Sequence, residues 1–130
     1  MTAIEKIVLS TSEASTPIAP YSQAIRVGSL VFVAGQVGID PKTGKLVHGG
    51  IRVQTKQAIE NLRVILATAG IGLDHVVKTT VFLKAAKDYK AMNDVYKEHF
   101  RDKPPARTTV QAIPPLKSIL IELEAVACIP

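Results

Sequence analysis

The alternation of apolar and polar positions along the chain predicts short strands interrupted by two helices. Ile4, Ile7, Val8 and Leu9 suit a first strand, and Ser10 to Pro20, rich in Ser, Thr, Ala and Pro, reads as a loop. A loop of that length in a small domain is a place to look for function. Ser22 to Val27 and Leu30 to Ala34 flank Gly28-Ser29, a pair that favours tight strand reversal. Asp40-Pro41-Lys42-Thr43-Gly44 adds turn chemistry, because proline fixes one φ and glycine accepts a positive one.

Over residues 51–69 the positions Ala58, Leu62, Ile65, Leu66 and Ala69 recur at helical spacing, with Gly70 placed as a C-terminal cap. Val76 to Leu83, rich in Val and Thr, predicts a strand. Tyr89, Met92, Val95, Tyr96 and Phe100 mark a second helix that stops before Pro104-Pro105. Strands near Arg107 to Ala112 and Ile119 to Cys128 complete the order β-β-β-α-β-α-β-β. This predicts an α+β fold in which one sheet carries both helices on one face.

The last strand divides cleanly by period. Ile119, Ile121, Leu123, Ala125 and Ala127 form one wholly apolar face, which belongs under the helices. Leu120, Glu122, Glu124, Val126 and Cys128 form the other, a mixture that suits a surface covered by another subunit with a polar pocket left in it. Helices cover only one face of such a sheet, so the second is wet or occluded by association, and a homo-oligomer is expected.

Composition narrows the class. At 130 residues a single domain over 1–130 is expected, and 47% hydrophobic against 21% charged residues excludes a disordered chain. No apolar run approaches the ~20 residues of a membrane-spanning helix, and Met1 to Thr16 carries Glu5 and Glu13 without the basic start and apolar stretch of a secretory signal. The net charge of +5 invites nucleic acid, yet the basic residues are scattered from Lys6 to Lys117 and aromatics are only 5%, which favours a solvated basic surface. The lone Cys128 forms no internal disulfide and fits a reducing, cytoplasmic compartment.

No nucleotide, metal or covalent motif is convincing. Gly35-Gln36-Val37-Gly38 and Gly70-Ile71-Gly72 lack a full phosphate-binding pattern and read as turns. His48, His75 and His99 are far apart and read as surface or helix-end residues, so no metal is expected. Cys128 reads as a small buried or edge-strand thiol. Arg107, at a strand start, offers a planar fork for a small organic acid. Its structural alternative is pairing with Glu122 across neighbouring strands. Tyr21, after Pro20, either covers a pocket or packs, and Asn93 reads as a solvated helix residue or a ligand.

Several segments together resemble the RidA/YjgF reactive-intermediate (enamine/imine) deaminase family. They are Ala19-Pro20-Tyr21-Ser22-Gln23-Ala24, Val33-Ala34-Gly35-Gln36, Asp40 to Gly44, Val76 to Leu83, Met92-Asn93-Asp94-Val95-Tyr96, Pro105-Ala106-Arg107 and Ile121 to Ala125. The version here resembles the eukaryotic branch once described as perchloric-acid-soluble translation inhibitors. The resemblance implies a chorismate-mutase-like subunit with a mixed sheet, a homotrimer with clefts between subunits, and no cofactor. It implies hydrolysis of 2-imino or 2-enamino acids to 2-oxo acids and ammonia, clearing intermediates released by pyridoxal-phosphate enzymes.

Carried over by residue, the resemblance implies that Arg107 binds the substrate carboxylate, Glu122 positions or activates water, Tyr21 lines the cleft, Gly35 brings its backbone close to the ligand and Asn93 borders the pocket. Where many members have cysteine two residues after the arginine, this chain has Thr109, which keeps a hydroxyl for a ligand and removes any thiol switch there. Two other functions compete. One is an RNA-directed endoribonuclease or translation inhibitor, allowed by the charge but lacking a His pair placed to cut phosphodiesters. The other is a noncatalytic small-acid sensor or holdase using the same clefts.

Overall fold

In the computed structural model, which describes residues 3–130, the strands β1 (Lys6–Leu9), β2 (Ala24–Val27) and β3 (Leu30–Val37) form an antiparallel meander. A small hairpin of β4 (Ile39–Asp40) and β5 (Lys45–Leu46) precedes α1 (Ile51–Ala67). Then come β6 (Val76–Leu83), α2 (Tyr89–His99), β7 (Ala106–Gln111) and β8 (Ile121–Cys128), with single 3-10 turns before β6 and α2. The main sheet runs β1-β2-β3-β8-β6-β7, antiparallel except for the β6–β7 pair. The expected α+β architecture with a mixed sheet and its helices is thus observed.

The α1 stripe expected from spacing is buried, with Ala58, Ile59, Leu62, Ile65 and Leu66 fully covered against β3, β8 and α2. Each large aliphatic side chain so buried contributes roughly 1.5–3 kcal/mol. The helix closes at Thr68, whose N–H returns to Ile65 O, and Gly70 follows at φ 74°, a left-handed turn that glycine adopts without steric cost. On β8, Ile121, Leu123, Ala125 and Ala127 are buried while Glu122, Glu124, Val126 and Cys128 alternate outward, as the period requires.

Three local readings are corrected. The strand expected to end at Ala34 continues to Val37 through a register shift between Val33 and Gln36, a bulge that holds an extra residue against β8. Gly35 therefore lies in a strand and not in a turn, while Gly38 packs against the backbone of Gln54, whose Cα would stand 2.8 Å from an added Cβ. Cys128 lies half-buried on β8, inside the sheet and not at an edge. The three histidines fall as expected, His48 exposed, and His75 and His99 at the ends of helical turns.

The long loop between β1 and β2 is stitched in place. The buried Gln23 side chain accepts from the Thr11 N–H at 2.7 Å and donates to Thr11 O and Ser15 O, and Ala14 is sunk into the core. A loop pinned at these points presents Tyr21 in a fixed place at the sheet margin, which a floppy segment would not do.

Candidate functional site

Strand order decides how the candidate residues meet. β6 lies between β7 and β8, with Thr79 opposite Arg107 on one side and Phe82 opposite Glu122 on the other. Thr79 is buried in the core and Phe82 alternates to the opposite face, so Arg107 faces the helices and Glu122 the open side of the sheet. Direct pairing of Arg107 with Glu122 across adjacent strands is therefore ruled out within one chain.

The open side carries one group. Glu122 sits beside the β3 bulge, where a Cβ on Gly35 would overlap its carboxylate and lie 2.9 Å from its Cδ, so only glycine leaves that space to the acid. Burial pushes the Glu122 carboxyl above its ordinary value, and the negative charge of Glu124 on the same face adds to the rise. The Glu122 carboxyl has no side-chain hydrogen-bond or ion-pair partner among the described residues. Tyr21 is 52% exposed and lines, with Pro20, Phe32 and Glu124, an open cleft of about 530 Å³ on the same side.

The helix side carries the other. The Arg107 guanidinium lies over the Tyr96 ring, 4.7 Å from its centroid, and donates from Nη2 to the Tyr89 hydroxyl at 3.3 Å. Arg107, Asn93, Tyr96 and Pro105 border a groove of about 430 Å³. Thr109, two residues on, faces a neighbouring apolar hollow of about 310 Å³ with Leu83, Ala86, Tyr89 and Val110. Its Oγ1 is shielded from solvent and has no partner among the described residues. The structure thus gathers Tyr21, Gly35 and Glu122 on one side, and Asn93, Arg107 and Thr109 on the other.

Tyr89, Tyr96 and Thr79 were not among the expected site residues, since the helical spacing of both tyrosines read only as a core stripe. A signal for them existed. A strand, a helix and a second strand in succession form a right-handed unit with parallel neighbouring strands, which places Arg107 beside Thr79 and beneath the connecting helix. Among the described residues, no group of three or more His, Cys, Asp and Glu is arranged to hold a metal ion, and no helix is long and apolar enough to cross a membrane.

The family model described as Endoribonuclease L-PSP matches residues 11–129. The chain belongs to the RidA/YjgF family. A RutC family protein of Pyrococcus abyssi is 52% identical over 122 residues, covering 94% of this chain and 96% of the relative. The human 2-iminobutanoate/2-iminopropanoate deaminase is 42% identical over 127 residues, covering 98% of this chain and 93% of the relative. Among solved structures, E. coli TdcF with bound serine superposes at a TM-score of 0.88 with 32% identity, covering 95% of this chain and 99% of TdcF. The likeness to an archaeal RidA/YjgF relative exceeds that to the human one, so similarity does not single out the eukaryotic branch.

Proposed function

We propose that this protein hydrolyses small 2-imino acids, and their 2-enamino tautomers, to 2-oxo acids and ammonia, in clefts formed between copies of the chain in a homotrimer. The observation that carries the reading is the state of Arg107. Its guanidinium borders a groove, rests on an aromatic ring and has no carboxylate within ion-pair distance among the described residues. An arginine fork so held is a ready anchor for a substrate carboxylate, which it grips through two charge-assisted hydrogen bonds. The name of the human relative and the amino acid bound to TdcF agree with a small acid as ligand.

The chemistry needs little machinery. An imine carbon is already electrophilic, and a substrate fixed by its carboxylate needs one oriented water. Glu122 takes a proton from that water as its oxygen bonds to the imine carbon, while the C=N π bond breaks and the nitrogen takes a proton from solvent. The carbinolamine then collapses: the C–N bond breaks as the nitrogen is protonated, ammonia departs, the hydroxyl releases its proton to solvent and the 2-oxo acid remains. Glu122 returns its proton in this second half, a role suited to a carboxyl raised above its ordinary value.

The two groups of site residues face opposite sides of one sheet, so a complete site requires Arg107, Asn93 and Thr109 of one copy to meet Tyr21, Gly35 and Glu122 of another. The open face supports such contact, since Val8, Phe32 and Val110 on it are 59%, 45% and 41% exposed. In the cell the activity would protect pyridoxal-phosphate enzymes from the intermediates they release.

The test generates 2-iminobutanoate with a threonine dehydratase and traps the free imine with semicarbazide. The wild-type protein suppresses the trapped product and Arg107→Ala does not. If neither has an effect while RNA is bound in a steeply salt-dependent manner, the RNA-directed function replaces this one. Binding of a 2-oxo acid without turnover would instead mark a sensor.

A further inference from the structure

The aromatic floor beneath Arg107 takes no part in the bond-making steps above, yet it is held by both packing and a hydrogen bond. Tyr96 is 6% exposed, its ring packs 4.5 Å from that of Phe100, and its hydroxyl is hydrogen-bonded to Thr79 Oγ1 at 2.7 Å. Thr79 is itself fully buried and lies directly opposite Arg107 on the neighbouring strand. Tyr89, by contrast, is 48% exposed and its ring centroid lies 5.8 Å from the guanidinium carbon.

An arginine must be held in place to recognise a carboxylate, and the usual holder is an acidic side chain. An acidic holder occupies the same donors that the ligand needs and cancels the charge that attracts it. A ring face attracts the cation through its quadrupole without occupying the N–H groups at the edge of the fork, of which only one Nη2 donor is engaged, by the neutral Tyr89 hydroxyl at 3.3 Å. We propose that Tyr96, locked by Thr79, is a positioning residue that presents the Arg107 fork to the carboxylate of the substrate. This rests on the assignment of Arg107 as the carboxylate anchor. In this role Tyr96 acts through Arg107. Its ring is the working part, and its hydroxyl serves to fix the ring.

The test is a double-mutant cycle on the oligomeric protein, read by calorimetric binding of 2-oxobutanoate and by steady-state turnover. Tyr96→Leu is expected to weaken 2-oxobutanoate binding and raise KM by ~3- to 30-fold, with kcat changed less than about twofold. Tyr96→Phe keeps the ring and recovers most of that loss. In an Arg107→Ala background, Tyr96→Leu has no further effect on binding, because the group through which it acts is gone. A loss that simply adds to that of Arg107→Ala overturns the proposal, and so does Tyr96→Leu with wild-type affinity.

If Tyr96→Leu loses its cooperative unfolding, Thr79→Val decides. It is close in volume, leaves the ring present but unlocked, and is expected to weaken binding about twofold to threefold only where Arg107 is intact. Equal weakening with and without Arg107 overturns the proposal. The two layers of assignment fail separately. Arg107→Ala with wild-type binding removes the functional reading and this inference together, whereas a crippled Arg107→Ala beside an intact Tyr96→Leu removes this inference alone.

Discussion

At the scale of single residues, the acid on β8 carries a pH dependence whose sign follows from its surroundings. Burial first, and Glu124 second, hold the Glu122 carboxyl above its ordinary value. In the proposed mechanism water activation requires the ionised form, so kcat/KM is expected to fall on the acid side as Glu122 gains its proton. Glu124→Gln removes the second cause. The Glu122 pKa then drops, the ionised form persists to lower pH, and the acid limb of the kcat/KM profile moves downward while the plateau is kept. An acid limb that stays in place, or moves upward, would show that another group controls it. Gly35 belongs to the same reasoning, because the space its missing Cβ leaves is filled by the Glu122 carboxyl. Neither effect was legible in the sequence. The period of β8 put Glu122 and Glu124 on one face, but the β3 bulge opposite them depends on pairing between distant segments.

At the scale of elements, what was legible and what was not divide along a physical line. Apolar period located α1, α2 and both faces of β8, because burial of one stripe or face is written locally, and a run rich in Val and Thr located β6. It said nothing of the polar side chains inside. Asn61, 1% exposed within the α1 stripe, donates to Val37 O and Ile39 O at 3.0 and 2.9 Å and accepts from Gln57. Gln54, also buried, spans to Ser118 O and the Leu120 N–H. Asn61 holds the end of β3 against α1 where the strand turns into β4, and Gln54 ties the segment entering β8. A pattern of apolar positions marks such residues only as exceptions. Asn61→Leu keeps much of the volume but leaves two strand-end carbonyls without their donor, which is expected to cost about 2–4 kcal/mol. The check is urea unfolding at fixed protomer concentration, with a lowered midpoint and an unchanged slope. A loss under about 0.5 kcal/mol, the size of an ordinary surface change, would mean that water replaces the amide.

At the scale of the whole molecule, the sheet separates the two groups more firmly than any loop movement relieves. Arg107 and Glu122 project to opposite faces, with β6 between their strands. The sequence placed both residues on strands and asked for a partner subunit, but strand order, which sets the faces apart, is a long-range property. The proposed site between copies makes a quantitative claim on mixtures. Arg107→Ala chains lack the anchor and keep the acid, while Glu122→Gln chains keep the anchor and lack the acid, so each homo-oligomer is inactive. In hetero-oligomers formed by co-refolding equal amounts, a cleft is intact when its anchor comes from one variant and its acid from the other. Random assortment in a closed ring with head-to-tail contacts puts about one quarter of the clefts in that state, whatever the number of subunits. Imine hydrolysis should therefore recover to about one quarter of the wild-type rate per chain. If each site drew both residues from a single chain, mixing would restore nothing, because every chain carries one of the two lesions.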